Sequence, residues 1–341
     1  LAIDGDFTTV NGTARKSLAQ LNSDGSLDTS FTPPAFNDYL LSIAQQANGQ
    51  LLISGAFTMV DGVDARSLVR LNLNGTRDTG FSLAPYFQGG ILALFMQPDG
   101  KFVAAGPTAL SPPSNRESIA RFNMDGSRDA TFELEAYGSA PDDHSGSSSI
   151  RTLTPQADNT LIAAGEFTAI GGSAQICIAK INADGTVDNR FNPNANSEVD
   201  SLAIMPDGKI ILAGSFDEVS GTARPQHARL SQPEAALQSL QFSGSTVTWM
   251  RSGSSPELSL PPQLLFSLDG NTFTPLGAMS RIAGGWSYNY ATLPPIGQPF
   301  YLRTNGEVVS GQFNTSHGVV ESTRQLFVAD KIFAGGFEVA H

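Results

Sequence analysis

Short apolar runs separated by glycine- and asparagine-rich turns organise this chain, and one run recurs. Leu51-Leu52-Ile53-Ser54-Gly55-Ala56-Phe57 reads as apolar residues, a glycine, a variable residue and a phenylalanine. It returns as Leu161–Phe167 and Ile210–Phe216, opens the chain as Leu1–Phe7, and recurs in weaker form at Phe102–Gly106, where Pro107-Thr108 replaces the usual pair. The glycines fall at 5, 55, 106, 165 and 214, in steps of 50, 51, 59 and 49 residues. Self-similarity at that period marks a propeller or solenoid.

Each repeat divides into four short strands. In the second copy these are strand A, Leu40 to Gln46; strand B, Gln50 to Phe57; strand C, Ser67 to Asn72; and a short edge strand D ending at Phe81. Tight turns at Asn48-Gly49 and Asn74-Gly75 separate A from B and C from D, and a loop from Met59 to Arg66, containing Asp61-Gly62, joins B to C. Such pairs between apolar runs are strong hairpin signals because both residues tolerate positive φ. Strand A returns at Ile91 to Gln97, Ile150 to Pro155 and Val199 to Met205, and strand C at Ser17, Ser118 and Ile176 onward. Strand B is nearly continuously apolar, as suits a strand buried on both faces between neighbouring blades. Its glycine predicts a close backbone approach. The 59-residue step comes from a polar insertion, Tyr137 to Ser149, expected on one rim.

The fifth copy loses its pattern after Leu230, and Ser231 to Ala236 reads as a linker. Beyond it, seven strand signals run from Leu240 to Leu326, with turns at Ser243-Gly244, Asp269-Gly270 and Asn305-Gly306. With Trp249 on an early strand, this predicts a small β-sandwich of fibronectin or immunoglobulin style. The tail, Lys331-Ile332-Phe333-Ala334-Gly335-Gly336-Phe337, is a sixth copy of strand B. The expected architecture is therefore all-β: a β-propeller of about five four-stranded blades over 1–231, a linker over 232–236, a sandwich over 237–328, and over 329–341 a strand that closes the ring or pairs with another subunit.

Composition supports this and narrows the partners. Charged residues make up only 15% of the 341, with 34 Gly and 20 Pro, which suits many turns. The net charge is −12 and the pI about 4.7, which disfavours nucleic acid. No apolar run is long enough to span a bilayer. The lone cysteine, Cys177, lies in an alternating apolar run and reads as a small core residue. The chain starts at Leu1 with no signal peptide, leaving room for a leader or further protein ahead of it.

The pattern apolar-Ala-Gly-x-Phe, then (Ile/Leu)-Ala-Arg-Leu-Asn-x-Asp-Gly-x-x-Asp-x-x-Phe, resembles the delta-60 repeat of bacterial secreted and surface proteins. It is carried by Leu51–Gly62 with Leu68–Phe81, by Leu161–Gly172 with Ile178–Phe191, and less fully by three more copies, over about residues 1–231. The segments Trp249–Glu257, Ser267–Gly270, Pro275–Gly277 and Gly284–Trp286 resemble the sandwich-like region that often ends such proteins. The resemblance implies a propeller and a surface or secreted location, and supplies no reaction.

The most specific polar motif is Asn-x-(Asp/Asn)-Gly-x-x-Asp, at Asn22/Asp24/Asp28, Asn72/Asn74/Asp78, Asn123/Asp125/Asp129 and Asn182/Asp184/Asp188. Its oxygens resemble part of a calcium loop, so Asp24, Asp28, Asp125, Asp129, Asp184 and Asp188 are candidate ligands. The competing reading is a turn in which Asx side chains cap backbone N–H groups, and it is preferred because the downstream bidentate acid is missing. Two further clusters are candidate ligand sites. Asp142-Asp143-His144 sits in the insertion, where an acid pair beside an imidazole suits metal or proton transfer. Trp286, Tyr288 and Tyr290 alternate along one strand, where an exposed row would stack on sugars and a buried one would be core. Lys331, Ile332, Phe333 and Phe337 are the candidates for closure or assembly.

No nucleophile elbow, phosphate loop or Cys/His metal cluster occurs in the sequence. The expected role is a non-catalytic extracellular or cell-surface scaffold for adhesion, ligand binding or assembly, with a protein, a glycan or a further copy of itself as partner. Two alternatives stand beside it: a subunit polymerising by strand addition through its C-terminal segment, and a polysaccharide-active enzyme or lectin-like module.

Overall fold

The computed structural model of the chain describes residues 1–65, 67–81, 90–107, 119–134, 136–137, 148–290, 298–310 and 316–327. Among these every regular element is a strand. The five repeats form five small antiparallel sheets, and in blades two to five strand B lies between A and C. In the second blade Leu40–Gln45, Leu51–Gly55 and Leu68–Leu71 pair in that order. The fourth blade repeats this with Ser149–Pro155, Leu161–Glu166 and Ile178–Ile181, and the fifth with Val199–Ile204, Ile210–Gly214 and His227–Leu230. The first blade pairs Ala2–Asp4 with Leu18–Gln20.

Two features of the blade differ from the four-strand reading. Strand D is a full strand only in the third blade, where Arg128–Leu134 pairs with Ile119–Phe122. In blades one, two and four it shrinks to a single bridge, Leu21↔Leu27, Leu71↔Arg77 and Ile181↔Val187. The Asp at the end of the motif turns the chain there, and the next residues depart to the following blade. Secondly, the B–C connection is not an open loop. It folds into a two-residue hairpin, Met59–Val60 against Val63–Asp64, closed by Asp61 and Gly62 at φ +51° and +76°. Both turn residues being left-handed is the geometry that matches strand twist.

Blades stack through continuous apolar layers. Leu52 of the second blade packs with Phe102 and Ala104 of the third, and Ile162 and Ala164 of the fourth with Ile210 and Leu212 of the fifth. Strand B residues of blades two to four are buried on both faces as the sequence predicts.

Among the described residues the sandwich has eight strands, against the seven strand signals in the sequence. One sheet orders Ala236–Ser243, Thr246–Gly253, Gly285–Asn289 and Ser280–Ile282, and the other Thr274–Ala278, Gln263–Ser267, Pro299–Ser310 and Ser316–Phe327. Trp249 is fully buried between them, opposite Trp286. Asn305-Gly306 is not a turn: the strand continues through it to Ser310. Gly306 is there for space, since a Cβ would fall 2.6 Å from Leu258 Cδ1.

The stretch read as a linker is docked. Gln232 Nε2 donates to Gly208 O at 2.7 Å, and Glu234 pairs with Lys180 at 3.1 Å. Ala157 N donates to Ser255 O and Glu257 N to Pro155 O, at 2.7 and 2.9 Å. Apart from Lys180, which lies in strand C of blade four, these contacts fall on the A–B turns of blades four and five. The sandwich therefore covers the propeller face that carries those turns.

Candidate functional site

Seating the sandwich on that face leaves a cavity of about 610 Å³ between it and blades one to three. Strand A of blades two and three supplies an apolar wall of Ile43, Leu94, Phe95 and Met96. Leu260, from the sandwich loop before Gln263–Ser267, faces that wall across the cavity. Asp4, Gln20, Gln45, Asn72 and Glu307 add polar groups around the rim. Burial raises the Asp4 carboxyl above its ordinary value. Beside Gln45, the amide of Gln46 is buried with neither Nε2 nor Oε1 hydrogen-bonded. A cavity of apolar walls with a few convergent polar groups has the make-up of a binding site. A second, more open cleft of about 500 Å³ runs between the A–B turns at Gln97–Asp99 and Asn159 and the sandwich at Arg281–Gly284.

The motif carboxylates do other work. Asp24, Asp125 and Asp184 each accept from the backbone N–H and the hydroxyl of the residue two further on, Ser26, Ser127 and Thr186. Those bonds hold all three below the usual carboxylate range. The terminal Asp of the motif faces inward and binds the cation of its own strand C. Asp78 pairs with Arg70 and Asp129 with Arg121, both at 2.8 Å. The two guanidinium groups then lie over Phe81 and Phe132, 4.7 and 4.6 Å from the ring centres. Each also donates onward to the C–D turn of the next blade, Arg70 to Met124 O and Arg121 to Ala183 O, both at 2.7 Å. Asp28 has no such cation, because Gln20 stands where the others have Arg or Lys, and caps Ser30 alone. Asp188 instead takes Arg190 at 2.9 Å. In blades two and three the motif is thus a blade-to-blade clamp. Among the described residues no group of three His, Cys, Asp or Glu side chains is placed to hold a metal ion.

Of the aromatic row Trp286 is core, while Tyr288 and Tyr290 are half-buried. Trp286 is buried against Trp249, Tyr288 donates to Leu276 O at 3.0 Å, and Tyr290 stacks on Phe266 at 6.2 Å. Asp142, Asp143 and His144 lie outside the described residues, as do Lys331, Ile332, Phe333 and Phe337.

One cluster has no counterpart in the sequence reading. Arg151, in strand A of blade four, binds Glu198 at 2.7 Å and Asp200 at 2.9 Å in blade five, with Glu166 at 3.6 Å. Burial raises the Asp200 carboxyl. The residues are far apart in sequence, and only the stacking of consecutive blades brings them together.

Cys177 is fully buried at φ +64°, and burial pushes its thiol up to about 11. The native chain should therefore resist a thiol reagent such as DTNB at neutral pH and react with one equivalent in denaturant. Rapid reaction of the folded protein would show an accessible thiolate.

Five segments, residues 1–31, 46–81, 97–132, 156–191 and 206–232, match the family model described as a domain of unknown function (DUF5122) beta-propeller. Four of them carry a blade's strands B and C and the Asx motif, and the fifth ends shortly after strand C, at Gln232. No curated protein matches the chain.

Proposed function

Taking this propeller-type repeat protein and its docked sandwich together, we propose a non-catalytic scaffold that captures a protein or glycan ligand at an extracellular or cell surface. The observation that carries the reading is the cavity of about 610 Å³ between the propeller and the sandwich. Its walls are apolar, its rim is polar, and both parts of the molecule contribute to it. The motif carboxylates favour a scaffold over an enzyme, since they are bound to backbone N–H groups and strand C cations. Resemblance of the repeats to delta-60 repeats, and of the sandwich to fibronectin-style domains, supports the surface location.

The cavity reading is tested with the labelled full chain on a glycan array and a peptide array, followed by the Leu260→Arg variant. Leu260 is 38% exposed, so the variant should fold normally. Any ligand bound at the cavity should lose on the order of tenfold or more in affinity, about 1.4 kcal/mol. Unchanged affinity would move the site elsewhere, and hydrolysis of an arrayed glycan would overturn the non-catalytic reading.

A further inference from the structure

Two arginines sit at the end of the sandwich core that faces the propeller. Arg251 follows Trp249 along Thr246–Gly253. Arg281 pairs across strands with Trp286, which in turn stands opposite Trp249. Strand alternation puts all four side chains on one face of the sheet. Each guanidinium lies over an indole, Arg251 over Trp249 and Arg281 over Trp286, both 4.9 Å from the ring centre. Ser255, four residues beyond Arg251, accepts the Ala157 N–H of blade four at 2.7 Å.

One carboxylate, Glu257, acts on both cations but binds only one. It is 4% exposed and takes Arg281 through both oxygens, at 2.9 and 3.1 Å, while Oε1 also accepts the Leu258 N–H at 2.8 Å. Arg251 is equally buried, at 4% exposed, and its Nε and Nη1 have no acceptor. Trp286 Nε1, buried on the neighbouring strand, has none either. Diagonal cross-strand neighbours of this length reach one another. Burial pulls the Arg251 pKa down to about 10, with Glu257 opposing the shift and Arg281 adding to it.

The unmet groups at this spot are all donors, and two guanidinium charges face one carboxylate. A water molecule could accept from some of these donors, but it would bring hydrogens of its own and leave the excess charge in place. An oxyanion accepts several N–H bonds at once and cancels that charge. Its bonds to guanidinium are of the strong, charge-assisted kind. The cleft of about 500 Å³ beside the sandwich gives a way in, since Arg281–Gly284 forms its wall. Gly284 O accepts the Arg251 backbone N–H at 2.9 Å, so the Arg251 strand lies directly behind that wall.

We propose that the base of the sandwich core binds one oxyanion group, a carboxylate or a sulfate, through the Arg251 guanidinium and the Trp286 indole N–H. The Arg281–Glu257 pair forms the fixed flank of the site. The site is separate from the ligand cavity, which lies by blades one to three.

Trp249 and Trp286 are the two tryptophans of the chain, so tryptophan emission reports on this site. The full chain is titrated with sodium sulfate and, separately, with sodium acetate at constant ionic strength. A saturable change in emission is expected for at least one salt, with a midpoint on the order of 1 mM. Saturation by sulfate alone assigns the site to tetrahedral oxyanions, and saturation by acetate assigns it to carboxylates. Arg251→Met replaces an unpaired buried charge with an apolar chain, so it should fold, and it should abolish the change. Trp286→Phe keeps a ring and loses the N–H; followed through Trp249, it should weaken binding on the order of tenfold or more. A flat titration with both salts up to about 50 mM would mean that water satisfies these donors, and would overturn the proposal. So would a change in emission that survives intact in both variants.

Discussion

Gly165→Ala should be among the most damaging single substitutions in the propeller, costing about 3 kcal/mol. The ideal Cβ would lie 2.0 Å from Ser149 O, 2.9 Å from Arg151 N and 3.0 Å from the Ile150 Cα. All three are backbone atoms of strand A, so no rotamer change makes room. Overpacking against a fixed neighbour costs roughly 1–3 kcal/mol and more where backbone must move. Gly55, Gly106 and Gly214 face the carbonyls of Tyr39, Gly90 and Glu198 in the same way. The A–B register slips by one residue at this point in blades two, four and five. The extra residue bends strand A's carbonyl over the glycine, and that is what the recurrent glycine accommodates. The comparison is Gly172→Ala, at φ +74° with open space around it, which should cost only the ~1–2 kcal/mol of a left-handed residue. Thermal unfolding separates them: Gly165→Ala should lower the melting temperature by roughly 6–12 °C, and Gly172→Ala by about half that or less. Equal losses would mean that conformation rather than contact selects the glycine.

That glycine shows why the blades were legible in the sequence. Its spacing, the apolar run before it and the Asx turns after it are all local features, and local features survive as pattern. The sandwich was legible for the same reason, with Trp249 where a buried Trp was expected. Other parts were less so. Asn305-Gly306 carries turn chemistry but sits mid-strand, because the glycine answers a contact with Leu258, distant in sequence. The Met59–Asp64 hairpin was hidden by strands of two residues. The cavity could not be read at all, since it exists only where Leu260 meets the strands of blades two and three. The Arg70–Asp78 clamp was visible in principle. A cation two residues before the motif's first Asn recurs at Arg70, Arg121 and Lys180, and Gln20 is the departure. The signal lay in the pairing of that cation with an Asp eight residues on, and weighing the Asx oxygens only as turn caps or calcium ligands missed it.

Arg121→Met should destabilise the chain by about 3–5 kcal/mol, the range for stripping one partner from a buried ion pair. Arg121 and Asp129 are 8% and 6% exposed, so solvent does little to screen them. The substitution removes the bond to Asp129, the donation to Ala183 O in blade four, the bond to Thr131 Oγ1 and the stacking on Phe132. Asp129 would keep Lys101 at 2.7 Å and the Thr131 N–H at 3.0 Å. The pH dependence follows from the same contacts. Lys101 chiefly, with Thr131 and Arg121, holds the Asp129 carboxyl far below its ordinary value. A carboxyl with a depressed folded-state pKa takes up a proton on unfolding. Its contribution is complete above the unfolded-state value near 4 and is lost as pH falls below it. Denaturant unfolding of the native chain should therefore show stability dropping below about pH 4, with a shallower slope in Asp129→Asn. Adding Asp129→Leu to Arg121→Met removes the buried carboxylate that has lost its guanidinium and should recover part of the loss. If the double variant is instead as unstable as the sum of the singles, the two side chains do not act as a pair. The blades would then be joined by their apolar layers alone.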